Sequence, residues 1–181
     1  MYSLNVPVPN EVRRLATDLE PELTAFDQVR DRHTLVVKRL DGEASRHRLR
    51  ERTADTLAGV GGFEARIDRI EQFETPPTGT APVVYLAVES PGLLAVHDRL
   101  VAAFGAVDGL EGDDYTPHVT LARGYDGGFG SVGGGIGSSF AAVLSPGSTT
   151  AWVGPVEWTV DELGIWNREY EEIVTRISLP P

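Results

Sequence analysis

The stretch Tyr115-Thr116-Pro117-His118-Val119-Thr120-Leu121-Ala122-Arg123 constrains this chain more than any other. Val119 and Leu121 alternate with His118, Thr120 and Ala122, which is the period-2 pattern of a β-strand. Successive side chains on a strand point to opposite faces, so His118 and Thr120 share one face. The apolar pair faces the other way, onto helices. An imidazole and a hydroxyl therefore stand side by side on the face the apolar pattern leaves free. Such a pair can move a proton and hold an anionic oxygen, which is what phosphoryl chemistry needs.

The rest of the chain bounds what surrounds that strand. Its 181 residues are enough for one domain with a sizeable core. No apolar run is long enough to span a membrane, and the N-terminus lacks the basic start and apolar stretch of a secretory signal. The absence of cysteine excludes disulfides, thiolate nucleophiles and cysteine-ligated zinc. A cytoplasmic location is the expectation. Acids outnumber bases by 27 to 16, for a net charge of −11, and Lys38 is the only lysine beside the arginines. That balance suits a salt-loving cytosol, where at molar salt the Debye length falls to roughly 3 Å and self-repulsion is screened. It also suits an ordinary acidic protein from a GC-rich genome. Either way bulk charge will not hold long nucleic acid, so any RNA contact should be local, to an end or a fragment.

Local signals order the elements. Residues 1–6 read as a strand ended by Pro7 and Pro9, and Asn10 can cap a helix running to about Leu19. Thr34 to Leu40 reads as a strand and Asp41-Gly42 as a turn. Residues 43–58 suit an exposed helix, with His47 solvated. Phe63 to Phe73 alternates as a strand, with an irregularity near Arg69. "PVVYLAVES" is a buried strand, and "PGLLAVHDRLVAAF" is an amphipathic helix with His97 beside its apolar face. A glycine-rich loop or insertion occupies 124–139. Residues 155–166 and 170–179 read as two closing strands. The strand–helix–strand pattern occurs in both halves.

The string "YTPHVTLARG" closely resembles the second signature of the two-histidine phosphoesterases, which include the 2′-5′ RNA ligases, also called RNA 2′,3′-cyclic phosphodiesterases. The order of elements agrees along nearly the whole chain. The resemblance implies an α+β fold: a single two-lobed domain over residues 1–181, duplicated βα units with antiparallel sheets around a central cleft, and helices on the outer faces. It implies metal-independent cleavage of 2′,3′-cyclic phosphate RNA ends or small cyclic nucleotides, with reversible 2′-5′ ligation as the same chemistry run backwards. His118 and a second histidine, His33, would be catalytic. Thr120, Thr34, Lys38, Arg123 and Tyr115 would meet substrate, with Trp166 and Tyr170 as further stacking candidates. No cofactor and no metal are expected. The partner is an RNA end or small cyclic nucleotide, and the expected assembly is a monomer. A non-catalytic module that binds nucleotides or RNA ends is the alternative.

That alternative arises because the first signature departs from the pattern. In "RDRHTLVVKRL" the threonine follows His33 directly, one residue too early. Three readings are open. His33 is catalytic and Leu35 fills the threonine slot; or Thr34 is the motif threonine, with Arg32 in place of histidine and Lys38 on the open face; or a β-bulge between residues 33 and 34 turns both side chains to one side. Packing favours the second or third, because Leu35 and Val37 then echo Val119 and Leu121. Chemistry favours the first or third. A separate pattern, Gly128-x-Gly130-x-x-Gly133, matches a dinucleotide-binding fingerprint. It lacks the strand-to-helix context that such a loop needs.

Overall fold

Among the described residues there are nine strands and three α-helices; the expected elements keep their order, a short strand at Gln28–Val29 is added and one expected closing strand is divided in two. The computed structural model describes residues 1–40, 45–125 and 150–181; the Asp41-Gly42 turn, most of the glycine-rich stretch and the fingerprint glycines lie outside them. The elements are β1 (Tyr2–Val6), α1 (Asn10–Leu19), β2 (Gln28–Val29), β3 (Leu35–Arg39), α2 (Arg46–Thr56), β4 (Phe63–Phe73), β5 (Val83–Glu89), α3 (Pro91–Phe104), β6 (His118–Arg123), β7 (Thr150–Val160), β8 (Glu162–Asn167) and β9 (Glu172–Ser178). The expected α+β class with antiparallel pairing is what the chain adopts, as one open sheet in the order β7-β4-β5-β6-β3-β1-β8-β9, with β2 beside β6. The two motif strands, β3 and β6, meet at its centre through Leu35 opposite Val119.

All three helices contribute to one core on one face of the sheet. Val12 and Ala16 of α1, Leu49 of α2, and Leu93, Val96 and Leu100 of α3 pack with Leu4, Leu35, Val37, Ile70, Leu86, Val119 and Leu121. Each large aliphatic side chain so buried contributes roughly 1.5–3 kcal/mol. The helix α3 shows why its limits were legible. Ser90 accepts a hydrogen bond from the Leu93 N–H at 3.1 Å, and Pro91 opens the first turn, where a missing donor costs nothing. At α1 the expectation of an Asn10 cap is corrected. Pro9, in an extended conformation, takes the cap position, its carbonyl accepts from Arg13, and Asn10 is the first helical residue.

The closing segment also differs. Residues 155–166 are not one strand: β7 ends at Val160 and β8 starts at Glu162. β7 pairs with β4 while β8 pairs with β1 and β9, so the chain crosses from one half of the sheet to the other at Asp161. The apolar alternation changes phase at the crossing, from Val156, Trp158 and Val160 to Leu163 and Ile165.

Candidate active site

β-bulges decide which side chains reach the face away from the helices. Opposite β3, Leu4 pairs with Lys38 but Asn5 pairs with Val36, so Val37 is an extra residue. Opposite β6, Tyr85 pairs with Thr120 but Val84 pairs with Ala122, so Leu121 is extra. In β4 the extra residue is Asp68, where an irregularity was expected near Arg69. A bulge turns two successive side chains toward one side and restores the alternation one step late. Val37 and Lys38 thus both face the helices, and so do Leu121 and Ala122. Arg39 and Arg123 are returned to the face of His118.

On that face His118 and Thr120 stand together, both half-buried. The His118 ring touches the edge of Phe73 at 5.3 Å between centroids and lies 5.2 Å from Tyr85. Phe73 stacks on Tyr85 at 4.2 Å, and the Tyr85 hydroxyl donates to Glu71 at 3.0 Å. Burial, and then the Glu71 charge, raise the Tyr85 pKa, which keeps it a neutral donor. The His118 Nδ1 lies 2.7 Å from the Thr116 carbonyl. A carbonyl can only accept, so Nδ1 carries the proton and Nε2 is left as a lone pair. Burial lowers the His118 pKa below its ordinary value. The Thr116 bond opposes that, and the Arg123 and Arg39 charges add to it.

The first motif is arranged differently. Leu35 and Val37 are buried against the helices, while His33 and Thr34 precede the strand and are both half-buried. His33 has Glu20, Arg13 and Asp31 as its charged neighbours; burial lowers its pKa, with Glu20 opposing. Arg32 is 58% exposed and bridges to Glu171 at 2.9 Å, reaching the turn between β8 and β9. β3 begins at Leu35, so the bulge considered between residues 33 and 34 falls outside its ladder; within the ladder the extra residue is Val37.

Two expected substrate contacts are corrected. Lys38 does not line the open face: it is 2% exposed and pairs with the fully buried Glu111 at 2.5 Å. Tyr115 is not a free stacking platform, because its ring stacks on His97 at 3.7 Å and its hydroxyl donates to the Val36 carbonyl at 2.8 Å. Both corrections have one cause. A bulge leaves ladder groups unpaired, and buried backbone groups must find partners. Tyr115 satisfies Val36, His97 Nδ1 donates to Val37 at 2.7 Å, and Glu111 accepts from the Arg39 N–H at 2.7 Å. His97 Nε2 accepts from Gly112, which fixes its neutral tautomer. Trp166 is half-buried opposite Ser3, and Tyr170 is exposed on the turn. His47 sits on the surface beside Glu51 at 3.2 Å. Sequence reasoning did not single out Phe73, Tyr85 or Arg39, since only the register reveals that they share His118's face.

His118 and Thr120 thus share one open face with Arg39 and Arg123, an imidazole and a hydroxyl with two guanidinium groups. The chain belongs to the 2′-5′ RNA ligase superfamily, whose family model matches residues 33–172. It is similar in structure to TT0787 of Thermus thermophilus, at 18% identity and a TM-score of 0.66, covering 98% of this chain and 97% of that one. It is also similar to E. coli LigT in its apo form, at 20% identity and a TM-score of 0.61, covering 99% and 97%. LigT complexed with 3′-AMP matches at 20% identity and 0.63, covering 99% and 98%. A search of curated proteins gave no match. No helix among the described residues is long and apolar enough to cross a membrane.

Proposed function

We propose that this chain is a metal-independent phosphodiesterase that opens 2′,3′-cyclic phosphates on RNA ends or small cyclic nucleotides. The observation that carries this reading is the orientation of His118: its Nδ1 is tied to Thr116, which leaves Nε2 as the lone-pair nitrogen with no partner among the described residues, on the strand face it shares with Thr120. Nε2 takes a proton from water as the water oxygen bonds to phosphorus and the bond from phosphorus to the 3′ oxygen breaks. The imidazolium then returns that proton to the 3′ oxygen, leaving a 2′-phosphate. Thr120 and Thr34 donate to the non-bridging oxygens, and Arg39 and Arg123 balance their charge. A 5′-hydroxyl attacking in place of water forms a 2′-5′ bond by the same steps. LigT, a structural relative, was crystallised with 3′-AMP, a nucleotide with phosphate on a ribose oxygen.

His33 was the expected second imidazole. The proposed arrangement gives the open-face position of the first motif to Thr34, with Arg32 two residues before it. That same geometry favours the rival reading, a module that binds a phosphorylated nucleotide end without turnover. Release of product from adenosine 2′,3′-cyclic phosphate separates the two: steady turnover supports the enzyme, and binding without turnover supports the module.

Two further results are expected. Among the described residues no three His, Asp or Glu side chains gather as metal ligands. Because the proposed mechanism uses no metal, turnover should persist in excess EDTA at high salt; activity lost on chelation and restored by zinc or magnesium would refute the mechanism. The pH profile follows from the sign of the His118 shift. The base must be neutral, and its pKa lies below the usual value near 6.5. kcat/KM should rise with pH on the acid side of 6.5 and be level by neutrality. A rise centred above pH 7 would exclude His118 as the base.

A further inference from the structure

The His118 ring is held at one point by a hydrogen bond and along its sides by aromatic rings. The Nδ1 contact to the Thr116 carbonyl fixes that atom, but a single bond leaves the ring free to tilt about it. The residue opposite His118 on β5 is Ala87, whose methyl group is too short to wall the ring in. The neighbours that do so lie one and two strands away. Tyr85 of β5 stands 5.2 Å from the imidazole between centroids, and Phe73 of β4 meets it edge to face at 5.3 Å. Phe73 and Tyr85 stack on each other at 4.2 Å, so the three rings form one closed group. Tyr85 is buried within it, and Phe73 is half-buried. The group is also anchored. The Tyr85 hydroxyl donates to one oxygen of Glu71 at 3.0 Å, and Arg69 Nε donates to the other at 2.6 Å. Arg69 is itself paired with Asp68 at 3.2 Å and with Glu89. Both Glu71 oxygens are thereby engaged, and Tyr85 cannot turn without breaking a charge-assisted bond.

The proposed cleavage uses none of these four side chains, yet a proton-transfer group must be held within a small tolerance to work. We propose that Phe73 and Tyr85 are positioning residues that fix the plane of the His118 ring and shield it from water, with Glu71 and Arg69 as their anchor. The inference rests on the reading of His118 as the base. Burial is the largest cause of the lowered His118 pKa, and these two rings supply a share of that burial. Taking one away should therefore raise the pKa. The other charged groups that act on the ring are Arg39 from β3 and Arg123 from β6, which lower its pKa further, while the Thr116 bond raises it. All three stay in place when β4 or β5 is altered.

NMR titration of the His118 ring in the free protein, resolved from the other three histidines, tests this without turnover. In Phe73→Leu the midpoint should move up toward the ordinary value near 6.5. The acid limb of kcat/KM on adenosine 2′,3′-cyclic phosphate should move up by the same amount, because the neutral ring is the active form. Above that limb kcat should fall about tenfold while KM changes less than about twofold, since neither ring touches the phosphate. Phe73→Tyr, which keeps the ring, should recover most of the lost rate. Tyr85→Phe keeps its ring and loses only the anchor, so it should lower kcat by about threefold, with a smaller rise in midpoint. An unchanged His118 midpoint in Phe73→Leu overturns the proposal even if the rate falls, because loss of packing alone would do that; an unchanged kcat overturns it as well. If Phe73→Leu does not fold, Tyr85→Phe decides by the same two readings. Absence of turnover in the intact protein would count against His118 as the base, and the midpoints would still decide whether the two rings hold the imidazole.

Discussion

Replacing His118 by alanine should lower kcat/KM on a 2′,3′-cyclic phosphate by about 10² to 10⁴, the usual worth of a positioned proton-transfer group. The fold should survive, because the ring lies on the face away from the helices and not within the core they share with the sheet. Circular dichroism and a melting curve would check that. In the proposed arrangement, which sets the His33 side chain among Arg13, Glu20 and Asp31 and away from the phosphate, His33→Ala should cost less than about tenfold. Thr34→Val should cost about 10², as loss of a donor to a developing negative charge does. The comparison is decisive in one direction. If His33→Ala is as severe as His118→Ala, and the double variant is little worse than either, the two imidazoles act as a unit. The one-imidazole arrangement would then be wrong.

Much of the fold was legible because local chemistry and packing agree there. The helix Pro91–Phe104 has a serine cap, a proline at its first turn and an apolar stripe, and all three mark the same limits. The strand His118–Arg123 was legible from Val119 and Leu121 alone. What stayed hidden depends on register. The sequence "LVVKR" does not reveal that Val37 is an extra residue, yet that one residue moves Lys38 into the core and Arg39 out of it. The partners of the bulge were hidden too. Tyr115 and Glu111 are distant in sequence from β3, and a tyrosine next to a motif invites a binding role when it in fact closes an unpaired carbonyl. The crossing between sheet halves at Asp161 is marked only by a one-residue change of phase, from Val160 to Leu163, with no glycine or proline between them to signal a turn.

The hidden bulge carries the largest stability effect. Glu111 is fully buried and accepts from Lys38, from the Arg39 N–H at 2.7 Å and from the Val107 N–H at 3.0 Å. Burial pushes its carboxyl pKa up, but those three donors outweigh burial and hold it below the usual range. Glu111→Ala should lower the free energy of unfolding by about 3–5 kcal/mol, the cost of leaving a buried charge without its partner. Two backbone donors are orphaned as well, so urea unfolding should show a smaller loss for Lys38→Met, which leaves the carboxylate with both N–H groups and Arg39 nearby. The pH dependence has a definite sign. A depressed carboxyl pKa contributes stability that is present above the unfolded value, about 4.3 for Glu, and is lost as pH falls through the folded one. The gap between the intact protein and Glu111→Gln should therefore narrow in acid. A Glu111→Ala variant that loses less than about 1 kcal/mol, the range of an exposed ion pair, would show that the bulge holds its shape without this carboxylate.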